Sequence, residues 1–186
     1  NLKPSYQSVK TRIWAIVPAA GSGTRFGSDL PKQYHSLAGE EVILRTLRRL
    51  NAVTRISGIG VGLAVDDPAW SGIVPRLPGS VWSYEGGQNR SETVRNGLSE
   101  LTRRGKGADW VLVHDSVRPC VEVEEINRLI DEIDFRSPGG LLATPVSDTL
   151  KAATRQSEVT QTVSRESLWH AQTPQLFPVA LLQEGL

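Results

Sequence analysis

The sequence predicts an α/β domain built on a mainly parallel β-sheet, and two observations carry that prediction. Short apolar runs rich in β-branched and aromatic residues alternate along the chain with stretches whose apolar residues return at helical spacing. The glycines, cations and acidic residues with chemical potential follow directly on those runs, where parallel sheets gather their ligands. At 186 residues the chain is expected to form one domain, residues 1–186, with a sizeable core.

Taken in order, Ile13–Val17 reads as a fully buried strand that Pro18 stops. Ile43, Leu44, Leu47 and Leu50 mark an amphipathic helix with Arg45, Arg48 and Arg49 on its other faces. Ile56–Val65 reads as a glycine-broken strand, closed by Asp66 and Asp67 as a turn and helix cap. Val81–Tyr84 is a short strand ending in Glu85-Gly86-Gly87, and Val94, Leu98 and Leu101 define a helix from about Arg90 to before Gly105. Trp110–Val113 is a buried strand leading into His114-Asp115-Ser116-Val117-Arg118-Pro119. Ile126, Leu129, Ile130 and Ile133 form a helix that Pro138-Gly139-Gly140 breaks before a strand at Leu141–Val146. From Ser147 to Thr162 the pattern turns polar and short-range, which fits either a projecting arm or an ordinary surface hairpin.

Composition narrows the function. A formal charge of +1 leaves no polycationic footprint, so no nucleic-acid partner is expected. No apolar run approaches the ~18–20 residues of a membrane span, so no membrane partner is expected either. The single cysteine, Cys120, allows no intrachain disulfide and points to a reducing compartment.

The densest chemistry lies between Pro18 and Tyr34. Ala19, Ala20, Gly21 and Gly23 carry almost no side-chain bulk, so backbone N–H groups can approach a ligand and converge on an anion. Arg25 and Lys32 follow closely, and two cations beside bare N–H groups suit a polyphosphate. The spacing fits neither the dinucleotide fingerprint, which needs glycine where Phe26 stands, nor a P-loop, which ends in Gly-Lys-Ser/Thr. The plainer alternative is a flexible loop with surface cations. Asp115, emerging at a strand end, is a suitable hard-oxygen ligand for Mg²⁺ beside phosphates, or else a helix cap or the ion-pair partner of Arg118. His114 reads as structural. Gly86-Gly87-x-x-Arg90-x-x-Thr93 can receive a nucleobase edge through backbone groups and the Thr93 hydroxyl, or is a plain turn.

The ordered set Pro18-Ala-Ala-Gly-x-Gly-x-Arg25, Pro31-Lys-Gln-Tyr34, Gly86-Gly-x-x-Arg90, Val113-His-Asp-x-x-Arg118-Pro119, Asp148-Thr149, Arg165, Leu168-Trp-His-Ala and Thr173-Pro-Gln-Leu-Phe177 closely resembles the 2-C-methyl-D-erythritol 4-phosphate cytidylyltransferases of the non-mevalonate isoprenoid pathway. The resemblance spans nearly all of Ile13 to Phe177. It implies a Rossmann-like nucleotidyltransferase domain with a projecting dimerisation arm at 147–163. The implied reaction joins CTP to 2-C-methyl-D-erythritol 4-phosphate with Mg²⁺ and releases pyrophosphate, in the bacterial cytoplasm or plastid stroma. Neighbouring possibilities are a cytidylyltransferase for ribitol 5-phosphate, nucleotidyl transfer to a sugar 1-phosphate, and a truncated non-catalytic nucleotide-binding module.

Residue by residue, the resemblance assigns Arg25 and Lys32 to the triphosphate and to charge at the α-phosphorus. Ala19, Ala20, Gly21, Gly87, Thr93 and Ser116 match positions lining the cytidine. Asp115 and Arg118 match the aspartate and arginine placed near metal and substrate. Thr149 and Arg165 match residues that bind the sugar-alcohol phosphate across a homodimer, and Thr173 matches another residue at that end. Ser116 and Val117 depart from the family's two alanines. Family chains also continue beyond the position of Leu186, with a final strand and helix, an acidic segment and a lysine near the triphosphate.

Overall fold

The computed structural model describes residues 11–21, 30–104 and 109–186. In chain order it contains β1 (Ile13–Pro18), β2 (Ser36–Leu37), β3 (Glu40–Glu41), α1 (Val42–Asn51), β4 (Ile56–Leu63), α2 (Trp70–Ile73), β5 (Val81–Glu85), α3 (Arg90–Arg103), β6 (Trp110–Val113), α4 (Val123–Glu132), β7 (Gly140–Pro145), β8 (Leu150–Ala153), β9 (Val159–Val163), β10 (Trp169–Pro178) and α5 (Val179–Gly185).

Six strands form the central sheet in the order β5-β4-β1-β6-β10-β7. β1 pairs in parallel with both β4 and β6, and β4 with β5, while β10 runs antiparallel to β6 and β7. The expected mainly parallel α/β architecture is therefore present, with β10 as the reversed strand. β10 is an element that the sequence reading did not assign.

Alternation along β1 shows why both sheet faces are covered. Ile13, Ala15 and Val17 join one buried cluster with Ile43, Leu44 and Leu47 of α1 and Ile126 and Ile130 of α4. Trp14 and Ile16 join another with Val94, Leu98 and Leu101 of α3. A strand buried on both faces must be apolar at every position, and β1 is.

β4 runs unbroken despite its glycines. A Cβ at Gly60 would lie 2.5 Å from the Trp82 ring, so the missing side chain makes room for the aromatic residue of β5. α3 begins where Asn89 caps it, its side chain accepting from the Glu92 N–H at 2.9 Å. The polar stretch after Ser147 forms the β8–β9 hairpin, whose strands pair with one another in a separate two-stranded sheet.

Candidate functional site

The strand order reverses at β1. After β1 the chain builds β4 and β5 on one side, and then crosses to place β6 on the other. Loops leaving the carboxyl ends of β1 and β6 must diverge at such a switch point, and the crevice between them is where doubly wound sheets bind ligands. A cavity of about 310 Å³ occupies it, within the range of small-molecule sites.

Residues from four segments line this cavity. Ala19, Ala20 and Gly21 come from the end of β1, and Lys32 from the following 3-10 turn. Gly87 and Thr93 come from the β5–α3 turn, and Asp115 and Ser116 from the end of β6. Eight sequence-predicted residues from distant parts of the chain thus line one cavity. Arg25 and Gly23 lie outside the described residues.

Short hydrogen bonds hold these segments. The Ala19 N–H donates to the Gly62 carbonyl at 2.7 Å and the Gly86 N–H to the Leu63 carbonyl at 2.7 Å, so the loops after β1 and β5 are both tethered to the end of β4. Thr93 Oγ1 accepts from the Gly87 N–H at 3.0 Å and lies 2.9 Å from the Asn89 carbonyl, to which it donates. The hydroxyl therefore shapes the turn expected to meet a base edge. Buried Thr46 donates to the Ser116 carbonyl at 3.0 Å and ties α1 to the opposite wall.

Asp115 is the electrostatic hub. Its Oδ1 accepts from Arg90 Nε at 3.0 Å and its Oδ2 from Arg118 Nε at 3.2 Å, so one carboxylate aligns two guanidinium groups. Its backbone N–H donates to Thr173 Oγ1 at 3.3 Å. Behind it, His114 is fully buried, with Nε2 at 3.0 Å from the Arg118 carbonyl. A carbonyl only accepts, so Nε2 carries the hydrogen. Burial holds the imidazole below its usual pKa, and its neutral ring braces the Asp115–Arg118 turn, as its structural reading expected.

Arg118 and Thr173 line a second cavity beyond Val117, with Glu125, Leu142 and Gln172. Val117 borders both spaces. Thr149 and Arg165 line neither: they stand at the base of the hairpin, where the Arg165 guanidinium donates to the Ser147 carbonyl.

Of the lining residues without a role assigned from the sequence, Arg90 and Gln33 make the contacts that shape the site. Arg90 was visible as the arginine of Gly-Gly-x-x-Arg, but its pairing with Asp115 depends on β5 and β6 flanking β4 and β1. Gln33 stood inside Pro31-Lys-Gln-Tyr34, yet nothing local predicts that its side chain reaches Ala19 and Gly21.

Carboxylates that could hold Mg²⁺ are sparse at the first cavity. Asp115 is the one Asp or Glu among its lining residues, and the described residues contain no group of three or more potential metal ligands. That donor set suits Mg²⁺, which is usually bound by one or two carboxylates together with substrate phosphates.

Residues 13–186 match the family model described as IspD, 2-C-methyl-D-erythritol 4-phosphate cytidylyltransferase. Proteins of that name from Halorhodospira halophila and Dechloromonas aromatica are 49% and 45% identical to the chain, with 94% of the chain covered in each case and 74% and 78% of the relative. Among solved structures, a 4-diphosphocytidyl-2C-methyl-D-erythritol synthase superposes with a TM-score of 0.82 at 34% identity, covering 94% of this chain and 78% of that one. The Francisella tularensis 2-C-methyl-D-erythritol 4-phosphate cytidylyltransferase superposes with a TM-score of 0.77 at 32% identity, covering 94% and 76%.

Proposed function

The chain belongs to the 2-C-methyl-D-erythritol 4-phosphate cytidylyltransferase family, and from that membership we propose how its own residues perform the reaction. It is a cytidylyltransferase, a nucleotidyltransferase of non-mevalonate isoprenoid synthesis. It transfers CMP from CTP to 2-C-methyl-D-erythritol 4-phosphate, forming 4-diphosphocytidyl-2-C-methyl-D-erythritol and pyrophosphate. The observation that carries the residue assignment is the convergence of Ala19–Gly21, Lys32, Thr93 and Asp115 on one cavity at the switch point.

In this reading Ala19, Ala20, Gly21, Gly87, Thr93 and Ser116 seat the nucleotide, while Gly23, Arg25 and Lys32 hold the triphosphate. The substrate phosphate is already an anionic nucleophile, so no general base is required. Its oxygen attacks the α-phosphorus, the bond to the bridging oxygen of pyrophosphate breaks, and the electron pair leaves with pyrophosphate. The barrier is the repulsion between two anions and the charge that builds at phosphorus. Arg25 and Lys32 oppose both through preorganised positive charge. Asp115 would hold Mg²⁺ beside the phosphates. The ion, when bound, neutralises triphosphate charge.

The acceptor phosphate belongs, in the same reading, beside Arg118 and Thr173, with Thr149 and Arg165 completing its site from a second copy. Two observations support a homodimer through the 147–163 arm. Thr149 and Arg165 line neither cavity of their own chain, and Val159, Leu168 and Trp169 on or next to the arm are exposed apolar side chains. A reducing compartment, cytoplasm or plastid stroma, agrees with an exposed Cys120 thiol. No helix among the described residues is long and apolar enough to cross a membrane.

The deciding experiment measures pyrophosphate release from CTP and Mg²⁺ with either polyol phosphate. Release with 2-C-methyl-D-erythritol 4-phosphate and none with ribitol 5-phosphate is expected. The reverse preference would overturn the substrate assignment.

A further inference from the structure

We infer that Gln33 is a positioning residue for nucleotide binding: its side-chain amide holds the loop after β1 so that backbone N–H groups stay available to the nucleotide. The inference rests on the reading of the first cavity as the CTP site.

Gln33 is 2% exposed, an unusual position for a glutamine. Its Nε2 donates to the Ala19 carbonyl at 2.8 Å and lies 3.4 Å from the Gly21 carbonyl, so one amide group spans both ends of the Ala19–Gly21 segment. All three of those residues, and Gln33 itself, border the cavity.

The consequence follows from peptide geometry. A trans peptide sends its C=O and N–H in opposite directions. Holding the Ala19 carbonyl toward Gln33 therefore keeps the Ala20 N–H on the far side of that peptide. Ala19 spends its own N–H on the Gly62 carbonyl, but among the described residues the N–H groups of Ala20 and Gly21 have no protein acceptor. Two unused donors in a cavity wall are what an anionic or acceptor-rich ligand needs. Carbonyls turned the other way would instead present negative dipole ends to it. Ala20 and Gly21 carry little side chain to hold their peptides in one orientation, and the Gln33 amide restrains the segment through its carbonyls.

Gln33 is also well placed to do this. It sits in a 3-10 turn between Lys32, which borders the same cavity, and Tyr34, whose hydroxyl donates to Asp67 at 2.7 Å. That bond anchors the turn to the loop after β4, so the amide is presented from a fixed support.

The test is CTP binding by calorimetry to the wild-type chain and to Gln33→Leu and Gln33→Glu. Leu keeps the bulk and removes the donors, whereas Glu keeps the shape and puts oxygen against two carbonyls. Both are expected to raise the Kd for CTP by about tenfold or more, the scale of losing hydrogen-bond restraint at a buried site. The KM for the polyol phosphate should stay within about twofold, with circular dichroism unchanged. A folded Gln33→Leu that binds CTP like wild type overturns the proposal. So does a uniform fall in every kinetic parameter that tracks a lower Tm, which marks a purely structural role. Should neither variant fold, amide hydrogen exchange of the wild type decides: saturating CTP is expected to protect Ala20 and Gly21, and unchanged exchange at both overturns the inference. Failure of the wild type to bind CTP would instead overturn the reading of the cavity.

Discussion

The Tyr34 hydroxyl donates to Asp67 Oδ2 at 2.7 Å, fastening the turn that carries Lys32 to the loop after β4. Tyr34 is buried, and burial first, then the Asp67 carboxylate, hold the phenol well above its usual pKa. The carboxylate also accepts from the Ala69 N–H at 3.1 Å through Oδ1. Asp67 therefore makes a turn, as its sequence position suggested, and additionally serves as an anchor for a segment of the site.

Tyr34→Phe should lower stability by about 1–2 kcal/mol, because Oδ2 of a partly buried carboxylate loses its phenolic donor while Oδ1 keeps the Ala69 N–H. The pH profile supplies the sign. A phenol whose pKa is raised on folding stabilises the native state fully below the unfolded value near 10 and progressively less as pH rises above it. Chemical denaturation between about pH 9 and 11 should show the wild-type advantage over Tyr34→Phe shrinking as pH rises. A gap that widens would contradict the Tyr34–Asp67 account.

Lys32→Ala should reduce kcat by about 10²-fold or more, the scale of losing one preorganised charge at a developing anion. Lys32 is exposed, so the variant should keep the wild-type Tm within a degree or two. Steady-state pyrophosphate release together with a thermal melt checks both parts. Near-normal turnover would remove Lys32 from the proposed machinery.

Asp115→Asn should weaken two functions at once. Losing the negative charge frees Arg90 and Arg118 from their common partner and removes the proposed anionic ligand of Mg²⁺. The expected result is a kcat lowered by at least about tenfold, accompanied by a higher Mg²⁺ concentration for half-maximal activity. Titration of activity with Mg²⁺ at saturating CTP separates the roles. An unchanged Mg²⁺ midpoint with reduced kcat would confine Asp115 to aligning the arginines.

Gly86→Ala should be disproportionately harmful for one methyl group. Its Cβ would lie 2.6 Å from Ala20 Cβ and 3.0 Å from the Leu63 carbonyl oxygen, and backbone cannot move aside as a side-chain tip can. Overpacking of this kind costs about 1–3 kcal/mol, or roughly 2–4 °C of Tm for each kcal/mol in a chain of this size. Displacing Ala20 should also raise the Kd for CTP. A melt and a CTP titration check both. Wild-type values in both would show that the β1 and β5 loops are free to separate.

Local pattern determined much of this protein. Ile13–Pro18 and Trp110–Val113 are apolar at nearly every position because both sheet faces bury them, and α1, α3 and α4 follow the spacing of their buried leucines and isoleucines. The motif residues and their family resemblance also stand in the sequence, so the reaction class was readable there. β10 was not, because its first residues, Trp169–Ala171, are exposed while Thr173, Pro174 and Leu176 are buried, and no single period describes both halves. Its place depends on pairing with β6 and β7, which lie far away along the chain. The same holds for the site. Strand order decides that Ala19 and Asp115 face one cavity and that Arg90 reaches Asp115, and the folding of the Lys32–Tyr34 turn back onto the β1 loop decides that Gln33 spans Ala19 and Gly21. Periodicity records which side of an element is buried. Only the packing of distant elements decides which polar groups meet, because hydrogen bonds require a separation near 3 Å that sequence spacing does not specify.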